Sequence, residues 1–230
     1  MAATYVCVVE PFARVHVTVV DELKAYPDEM LKQRGNQWLT ASELASWESM
    51  QAKQTRRMEW LFGRIALKEA VCAWMQEMHH LKVDAKELEI TRTEAGAPQA
   101  TWADGRDVEL PVVSLAHAPG VMVAAVSGAE SVGVDVERAD RKAPTVARVL
   151  TETETALVAD EQMTLLTAVV AKEAASKAVG LGLGGDLRRW PIIGATPTAH
   201  VVSCVDDPEL LLKVDFLNVP GLVLGVCVVI

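Results

Sequence analysis

Three valine-rich stretches follow one another closely in the middle of the chain, and they constrain its fold most. Residues 112–116 and 121–127 are separated by the turn-forming pair Pro119 and Gly120, and residues 132–137 follow soon after. Connections this short join antiparallel strands, whereas parallel strands need a crossover of a dozen or more residues. The sequence therefore predicts a three-stranded antiparallel meander in this region.

In the third stretch, VGVDVERADRK at residues 132–142, valines alternate with Gly133, Asp135 and Glu137. A period of two is typical of a strand with one apolar and one polar face. The two carboxylates then share a side, roughly 6.6 Å apart along the strand, close enough to bind one hard cation such as Mg²⁺. These residues alone favour a simpler interpretation, a half-exposed edge strand with a solvated acidic face.

A second charged motif lies in AVVAKEAASKAVGLGL at residues 168–183. Apolar residues fill one side, and Gly180 and Gly182 form a stop signal, so we predict a helix over residues 161–179. Glu173 and Lys177 are four residues apart and therefore lie on one face of this helix. Taken alone, such a pair is usually a weak surface ion pair.

Capping boxes predict two further helix starts. Thr40 with Glu43 begins a long helix, continuous or interrupted, that runs to about His80, and Thr151 with Glu154 begins another. A short helix is also predicted after Pro144. Apolar residues of the long helix recur at helical spacing and are assigned to the core; they are Met58, Leu61, Ile65, Leu67, Val71 and Trp74.

The acidic strand and the KExxxK helix together resemble the 4'-phosphopantetheinyl transferases, specifically the larger surfactin-type class. That class has a G-V/I-D-V/I-E strand and a W-x-x-K-E-A-x-x-K-A-x-G-x-G-L helix. Further similar stretches occur in the expected order: RRMEWLFGRIALKEAV at 56–71, EAGAPQA at 94–100 and VVSLAHAPGVMVAAVSG at 112–128. An ordered set is far more specific than any single motif.

The resemblance implies an α+β fold of two similar halves with a pseudo-twofold arrangement and the coenzyme bound between them. The sequence agrees with the fold class, since each half has strands flanking a long helix, but it shows no convincing internal repeat. We predict one half at residues 1–111, with the basic helix and contacts to coenzyme A phosphate. Residues 112–230 form the other, with the acidic strand and the KExxxK helix.

The reaction implied by the resemblance is Mg²⁺-dependent transfer of the 4'-phosphopantetheine arm of coenzyme A to a serine of an apo acyl or peptidyl carrier protein. It releases 3',5'-ADP and constitutes holo-acyl-carrier-protein synthase activity. Because the nucleophile belongs to the partner, no Ser-His-Asp arrangement is required here. The motif spacing is most similar to members that serve polyketide biosynthesis.

The resemblance assigns the metal ligands and the base. Asp135, Glu137 and Glu173 are the expected Mg²⁺ ligands, and Glu173 is also the expected general base, directly or through a water. Two carboxylates about 4 Å apart repel by roughly 4 kcal/mol at an effective dielectric of 20. Three of them together therefore need a cation or raised pKa values.

The phosphates of coenzyme A have their own expected partners. Lys177 would bind the pyrophosphate, whereas Lys172 points away from that face of the helix. Arg57 and Arg64 would bind the adenosine 3'-phosphate, and His117 another phosphate. The chain departs from the family pattern at Ala97, at Ala116 and Ala118, and at Val169. None of these positions belongs to the metal ligands or the base, so activity is expected.

Composition excludes several classes of partner. A net charge of -9 argues against binding to nucleic acid. The closing LVLGVCVVI is too short to span a bilayer. The cysteines lack CxxC spacing, which predicts reduced thiols in a cytoplasmic protein; they are Cys7, Cys72, Cys204 and Cys227. A chain of two halves need not associate, so we expect a monomer without nucleic-acid or membrane partners.

Three other functions remain open at this point. The chain could be a relative that docks a carrier protein without modifying it, although the presence of Asp135, Glu173 and Lys177 argues against this. It could also be a Mg²⁺-dependent phosphohydrolase that acts on nucleotides. The third alternative is an acidic scaffold that binds neither Mg²⁺ nor coenzyme A.

Overall fold

The structure is a computed structural model that describes residues 3–9, 13–19, 26–142, 150–180 and 186–229. The chain divides into two compact units, Met1–Gly128 and Ala129–Ile230. Each unit combines an antiparallel sheet with helices, so the predicted α+β class is confirmed. The short helix predicted after Pro144 and the stop residue Gly182 lie outside the described residues.

The first unit contains a four-stranded antiparallel sheet in the order β1-β2-β6-β5 and a separate hairpin, β3-β4. The strands are β1 (Ala3–Val9), β2 (Ala13–Val19), β3 (Leu88–Arg92), β4 (Pro98–Trp102), β5 (Val112–Ala118) and β6 (Val121–Ser127). The helices are α1 (Asp28–Trp38), α2 (Ala41–Glu48) and α3 (Gln54–His79). Helix α3 packs mainly on β6, with further contacts to β2 and β5.

The helical predictions for this unit are confirmed. The Thr40 hydroxyl accepts a hydrogen bond from the backbone N–H of Glu43, and the Glu43 carboxylate caps the N–H of Thr40 in return. The long helix is interrupted after Glu48 and resumes as α3. All six apolar residues assigned to the core of this helix are buried in one hydrophobic cluster.

The second unit contains a five-stranded antiparallel sheet in the order β7-β11-β10-β9-β8 and two helices among its described residues. The strands are β7 (Ser131–Arg138), β8 (Ile192–Thr196), β9 (Ala199–Cys204), β10 (Asp207–Leu217) and β11 (Leu222–Val229), and the helices are α4 (Glu152–Ala159) and α5 (Leu165–Ala178). Helix α5 lies across β7 and β11. Thr151 and Glu154 form the predicted capping box at the start of α4.

Two predictions of local structure are wrong in part. Residues 112–127 form the predicted hairpin, but β7 does not extend it into a meander, because β6 is already paired with β2 and β5, and β7 pairs with β11. Helix α5 begins at Leu165 rather than at residue 161. Glu161 has a left-handed φ of 57°, and Thr164 caps the helix through the N–H of Thr167.

The observed division of the chain follows β6, whereas the sequence placed the β5–β6 hairpin in the second half. The hairpin belongs to the first unit because β6 pairs along its length with β2. The four cysteines are free. No helix among the described residues is both long enough and apolar enough to cross a membrane.

The two units repeat one order of elements. A strand (β2 or β7) is followed by a capped helix (α2 or α4), a longer helix (α3 or α5) and four strands. In each unit the strand that precedes the helices pairs with the final strand, and the final strand also pairs with the strand before it in sequence. The resulting strand orders are β2-β6-β5 and β7-β11-β10. Among the described residues, β1 and α1 of the first unit have no counterpart in the second. The internal similarity that the sequence did not reveal is therefore present in the topology.

Candidate functional site

The acidic face of β7 is covered by helix α5. Asp135 is 5% exposed, so the interpretation of this strand as a solvated acidic surface is wrong. Gly133 makes the close cover possible, because a Cβ at that position would lie 2.0 Å from the carbonyl oxygen of Ala174 and 2.4 Å from the backbone nitrogen of Ala178. The surface of α5 in this region is built from small residues; Ala171, Ala174, Ala175 and Ala178 are all buried.

Lys177 reaches from α5 to β7. Its Nζ atom donates a hydrogen bond to Asp135 Oδ1 at 2.7 Å and another to the carbonyl oxygen of Val134 at 3.0 Å. The lysine is therefore anchored to the strand rather than engaged in a solvent-exposed pair with Glu173. This contact joins two of the residues that the sequence analysis selected.

Glu173 completes a three-residue cluster with Asp135 and Lys177. Its carboxyl group interacts directly with that of Asp135. Burial, and then the charge of Asp135, raise the pKa of Glu173 to about 7 against the opposing charge of Lys177. Burial also raises the pKa of Asp135, while Lys177 opposes that shift.

The third predicted metal ligand, Glu137, has a different partner. Its carboxylate forms an ion pair with Arg141, one of the residues that follow β7. The positive charge of Arg141 also lowers the pKa of Glu173, so it acts on the same cluster. Arg141 was not among the residues predicted from the sequence; its position four residues after Glu137 was the available signal.

The donor atoms of this cluster suit Mg²⁺. Within the described residues, no group of three or more His, Cys, Asp or Glu side chains is arranged to hold a metal. Mg²⁺ is commonly bound through one or two carboxylates together with substrate phosphates and water, and Asp135 and Glu173 supply two adjacent carboxylates. A glutamate whose pKa is raised by burial and by a neighbouring carboxylate is a group that a cation would return to its charged form.

Apart from Lys177, the predicted phosphate ligands lie in the first unit; they are Arg57, Arg64 and His117. His117 is exposed on β5, between the buried Ala116 and Ala118. The guanidinium of Arg57 lies over the ring of Trp47 at 4.5 Å from its centroid.

Arg64 is largely committed to contacts within its own unit. Its side chain is 16% exposed, and its Nε lies 3.7 Å from Glu43 Oε1. The guanidinium lies over the ring of Trp60 at 3.3 Å from its centroid, and Nη2 donates to the carbonyl oxygen of Ile90 at 3.4 Å. Burial lowers the pKa of Arg64 to about 10, against the opposing charge of Glu43.

A comparison with protein families identifies one match, over residues 131–215, to the family described as the 4'-phosphopantetheinyl transferase superfamily. The second unit resembles that superfamily. The matched stretch begins at the first residue of β7, ends within β10, and includes Asp135, Glu137, Glu173 and Lys177. The chain has no significant match among curated proteins. The match supports a transferase of this superfamily, while the two-halved surfactin-type class stays a prediction.

Proposed function

We propose that the protein transfers the 4'-phosphopantetheine arm of coenzyme A to a serine of an apo acyl or peptidyl carrier protein and releases 3',5'-ADP. The observation that carries this proposal is the buried contact between Asp135 and both Lys177 and Glu173, inside the stretch that matches the superfamily. An ordinary helix-surface ion pair would not be expected to contact a buried carboxylate on a neighbouring strand.

Asp135 and Glu173 would hold Mg²⁺, with Glu137 as a third ligand once it separates from Arg141. The ion, when bound, would offset the negative charge of the pyrophosphate. Lys177 supplies a further positive charge to the same group. Arg57, Arg64 and His117 are proposed to bind the other phosphate groups of coenzyme A, with His117 the most accessible of the three.

The chemical step balances without a nucleophile from this chain. The serine oxygen of the carrier forms a bond to the phosphorus that bears the pantetheine arm. The bond from this phosphorus to the bridging oxygen breaks, and 3',5'-ADP leaves with the electron pair. Glu173 accepts the serine proton, directly or through a water, and must itself be deprotonated to do so.

The wider predictions rest on the resemblance and the composition. They are a pseudo-twofold arrangement of two halves with the coenzyme between them, a carrier protein of a polyketide-type synthase, a cytoplasmic location and a monomeric state. The net charge of -9 continues to argue against nucleic acid as a partner.

The proposal is tested by mixing the protein with an apo carrier protein, coenzyme A and Mg²⁺ and weighing the intact carrier by mass spectrometry. We expect a gain of one phosphopantetheine arm, which disappears without Mg²⁺ and in Glu173→Gln. The matched control is Glu69→Gln, because Glu69 occupies the same Lys-Glu-Ala context in α3 and is similarly half-buried.

Other results would favour the alternatives. Release of inorganic phosphate without a carrier protein would indicate a phosphohydrolase. Binding of coenzyme A without modification of any of several unrelated carriers would indicate a docking relative. Failure to bind either Mg²⁺ or coenzyme A would indicate a scaffold.

A further inference from the structure

Glu154 is a fully buried carboxylate that joins three elements of the second unit. Its Oε1 accepts a hydrogen bond from the backbone N–H of Ile192 at 2.7 Å, and its Oε2 accepts one from the N–H of Thr151 at 2.8 Å. Lys172 Nζ lies 2.6 Å from Oε1, with 0% of the Glu154 side chain and 1% of the Lys172 side chain exposed. We call this arrangement the Glu154 junction; the proposed reaction uses none of its residues.

The first unit contains the same arrangement around Glu43, which we call the Glu43 junction. Glu43 Oε1 accepts from the N–H of Ile90 at 2.9 Å, and Oε2 accepts from the N–H of Thr40 at 3.0 Å. Lys68 Nζ lies 2.5 Å from Oε2, and both side chains are buried. In each unit a capping-box glutamate thus connects its own helix start, a lysine of the longer helix and the first strand after that helix.

In both units the lysine of the junction is followed in the helix by a glutamate. Lys172 precedes Glu173, just as Lys68 precedes Glu69, and adjacent residues of a helix point about 100° apart. The rotation of α5 that directs Lys172 to Glu154 therefore also directs Glu173, and Lys177 one turn later, towards Asp135. Buried ion pairs are weak evidence for stability in themselves, and one of their possible roles is to specify a single arrangement.

We propose that Glu154 and Lys172 are positioning residues, which fix the rotation of α5 and thereby set Glu173 and Lys177 against Asp135. The inference rests on the proposed function as far as catalysis is concerned, but its geometric content does not depend on any ligand. It also explains why only one lysine of the KExxxK motif is available to a phosphate: Lys172 is enclosed and already paired.

The test compares two double variants, Glu154→Gln with Lys172→Met and Glu43→Gln with Lys68→Met. Each removes both members of a buried ion pair and keeps a side-chain carbonyl that accepts one of the two backbone hydrogen bonds, so both proteins are expected to fold. In the second variant Arg64 also loses its contact with Glu43, but its guanidinium keeps the ring of Trp60 and the carbonyl oxygen of Ile90 as partners. Circular dichroism checks this. If either double variant is unfolded, the single variants Lys172→Met and Lys68→Met replace them, because the glutamate then keeps its two backbone donors and can be neutralised by taking up a proton.

The first measurement is the rate at which acetic anhydride modifies Lys177, followed by mass spectrometry of peptides. It needs neither metal nor coenzyme. We expect faster modification in the Glu154–Lys172 variant, since Lys177 is released from Asp135, and an unchanged rate in the Glu43–Lys68 variant. Equal rates in the two variants would overturn the positioning role.

The second measurement separates kcat from KM in arm transfer. We expect kcat to fall by roughly tenfold to a hundredfold in the Glu154–Lys172 variant, as for a displacement of about 1 Å at a reacting group, with little change in the KM for coenzyme A. The Glu43–Lys68 variant should keep its kcat, while its KM changes because Glu43 also contacts Arg64. Equal losses of kcat would contradict the proposal. If the unaltered protein modifies no carrier, the proposed function fails, and the labelling rates still decide the positioning role.

Discussion

Gly133 offers the sharpest test of how β7 and α5 form the site. In Gly133→Ala the new Cβ would lie 2.0 Å from the carbonyl oxygen of Ala174, whereas real Cβ contacts essentially never fall below 3.0 Å. Both nearest atoms belong to the backbone of α5 and cannot rotate away. Helix and strand must therefore separate by at least about 1 Å, the difference between these two distances.

That separation acts directly on the cluster. The contact between Lys177 Nζ and Asp135 Oδ1 would lengthen from 2.7 Å towards about 3.7 Å, beyond hydrogen-bonding distance. A displacement of this size at a reacting group costs roughly a hundredfold in rate. Overpacking a well-packed core costs about 1–3 kcal/mol, which corresponds to a fall in Tm of roughly 2–12 °C for a chain of this length.

Thermal unfolding by circular dichroism and arm transfer by intact mass spectrometry measure the two effects. The matched control is Gly194→Ala in β8, where a Cβ meets no atom within 4 Å and φ is not left-handed. We expect the control to keep both its Tm and its activity. If Gly133→Ala behaved like the control, the reasoning that close packing of α5 on β7 forms the site would be refuted.

Three further predictions concern individual side chains. As the pH increases towards 7, the apparent affinity for Mg²⁺ should increase about tenfold per pH unit, and above pH 7 it should level off. The reason is that the raised pKa of Glu173, about 7, keeps this ligand protonated at lower pH. Calorimetry at several pH values measures the affinity, and a flat profile would count against Glu173 as a ligand. Lys177→Met should abolish arm transfer. It should also lower the free energy of unfolding by about 1–3 kcal/mol, because Asp135 would remain buried without its cation. Urea titration measures the free energy of unfolding, and an unchanged value would contradict the role of the Asp135–Lys177 pair. His117→Gln should raise the KM for coenzyme A with little effect on kcat or stability, because His117 is exposed. The control is His79→Gln, at another exposed histidine, which should change neither KM, kcat nor stability. If the two variants behaved alike, His117 would no longer count among the phosphate ligands.

The chemistry-bearing residues were accessible from sequence because their spacing is local. Alternation puts Asp135 and Glu137 on one face of β7, and a separation of four residues puts Glu173 and Lys177 on one face of α5. Their burial was not accessible in this way, since it depends on α5 crossing β7, and Gly133 signals that contact only once the helix is in place. The partner of Glu137 was missed although Arg141 follows it closely, because an Arg after a strand usually faces solvent.

The long-range features were harder to predict. A short connection suggested that β7 pairs with β6, but β11, which lies at the far end of the chain, is its partner. The beginning of α5 was placed too early because Glu161 continues the polar and apolar pattern, while its backbone turns left-handed. The two junctions were not predicted from the sequence, because the residues that form each of them, such as Glu154, Lys172 and Ile192, are far apart along the chain. The stretches between these residues have no similarity between the two units.

The alanine-rich surface of α5 has a consequence for motion in the site. Alanine and glycine have no side-chain rotamers, so the contact of Ala174 and Ala178 with Gly133 contains no group that can change conformation on the picosecond-to-nanosecond timescale. Glu173, Lys177 and Arg141, in contrast, are long side chains with several rotatable bonds. Fast motion should therefore be concentrated in the charged groups, which can exchange partners when a ligand arrives while the backbone that carries them stays still.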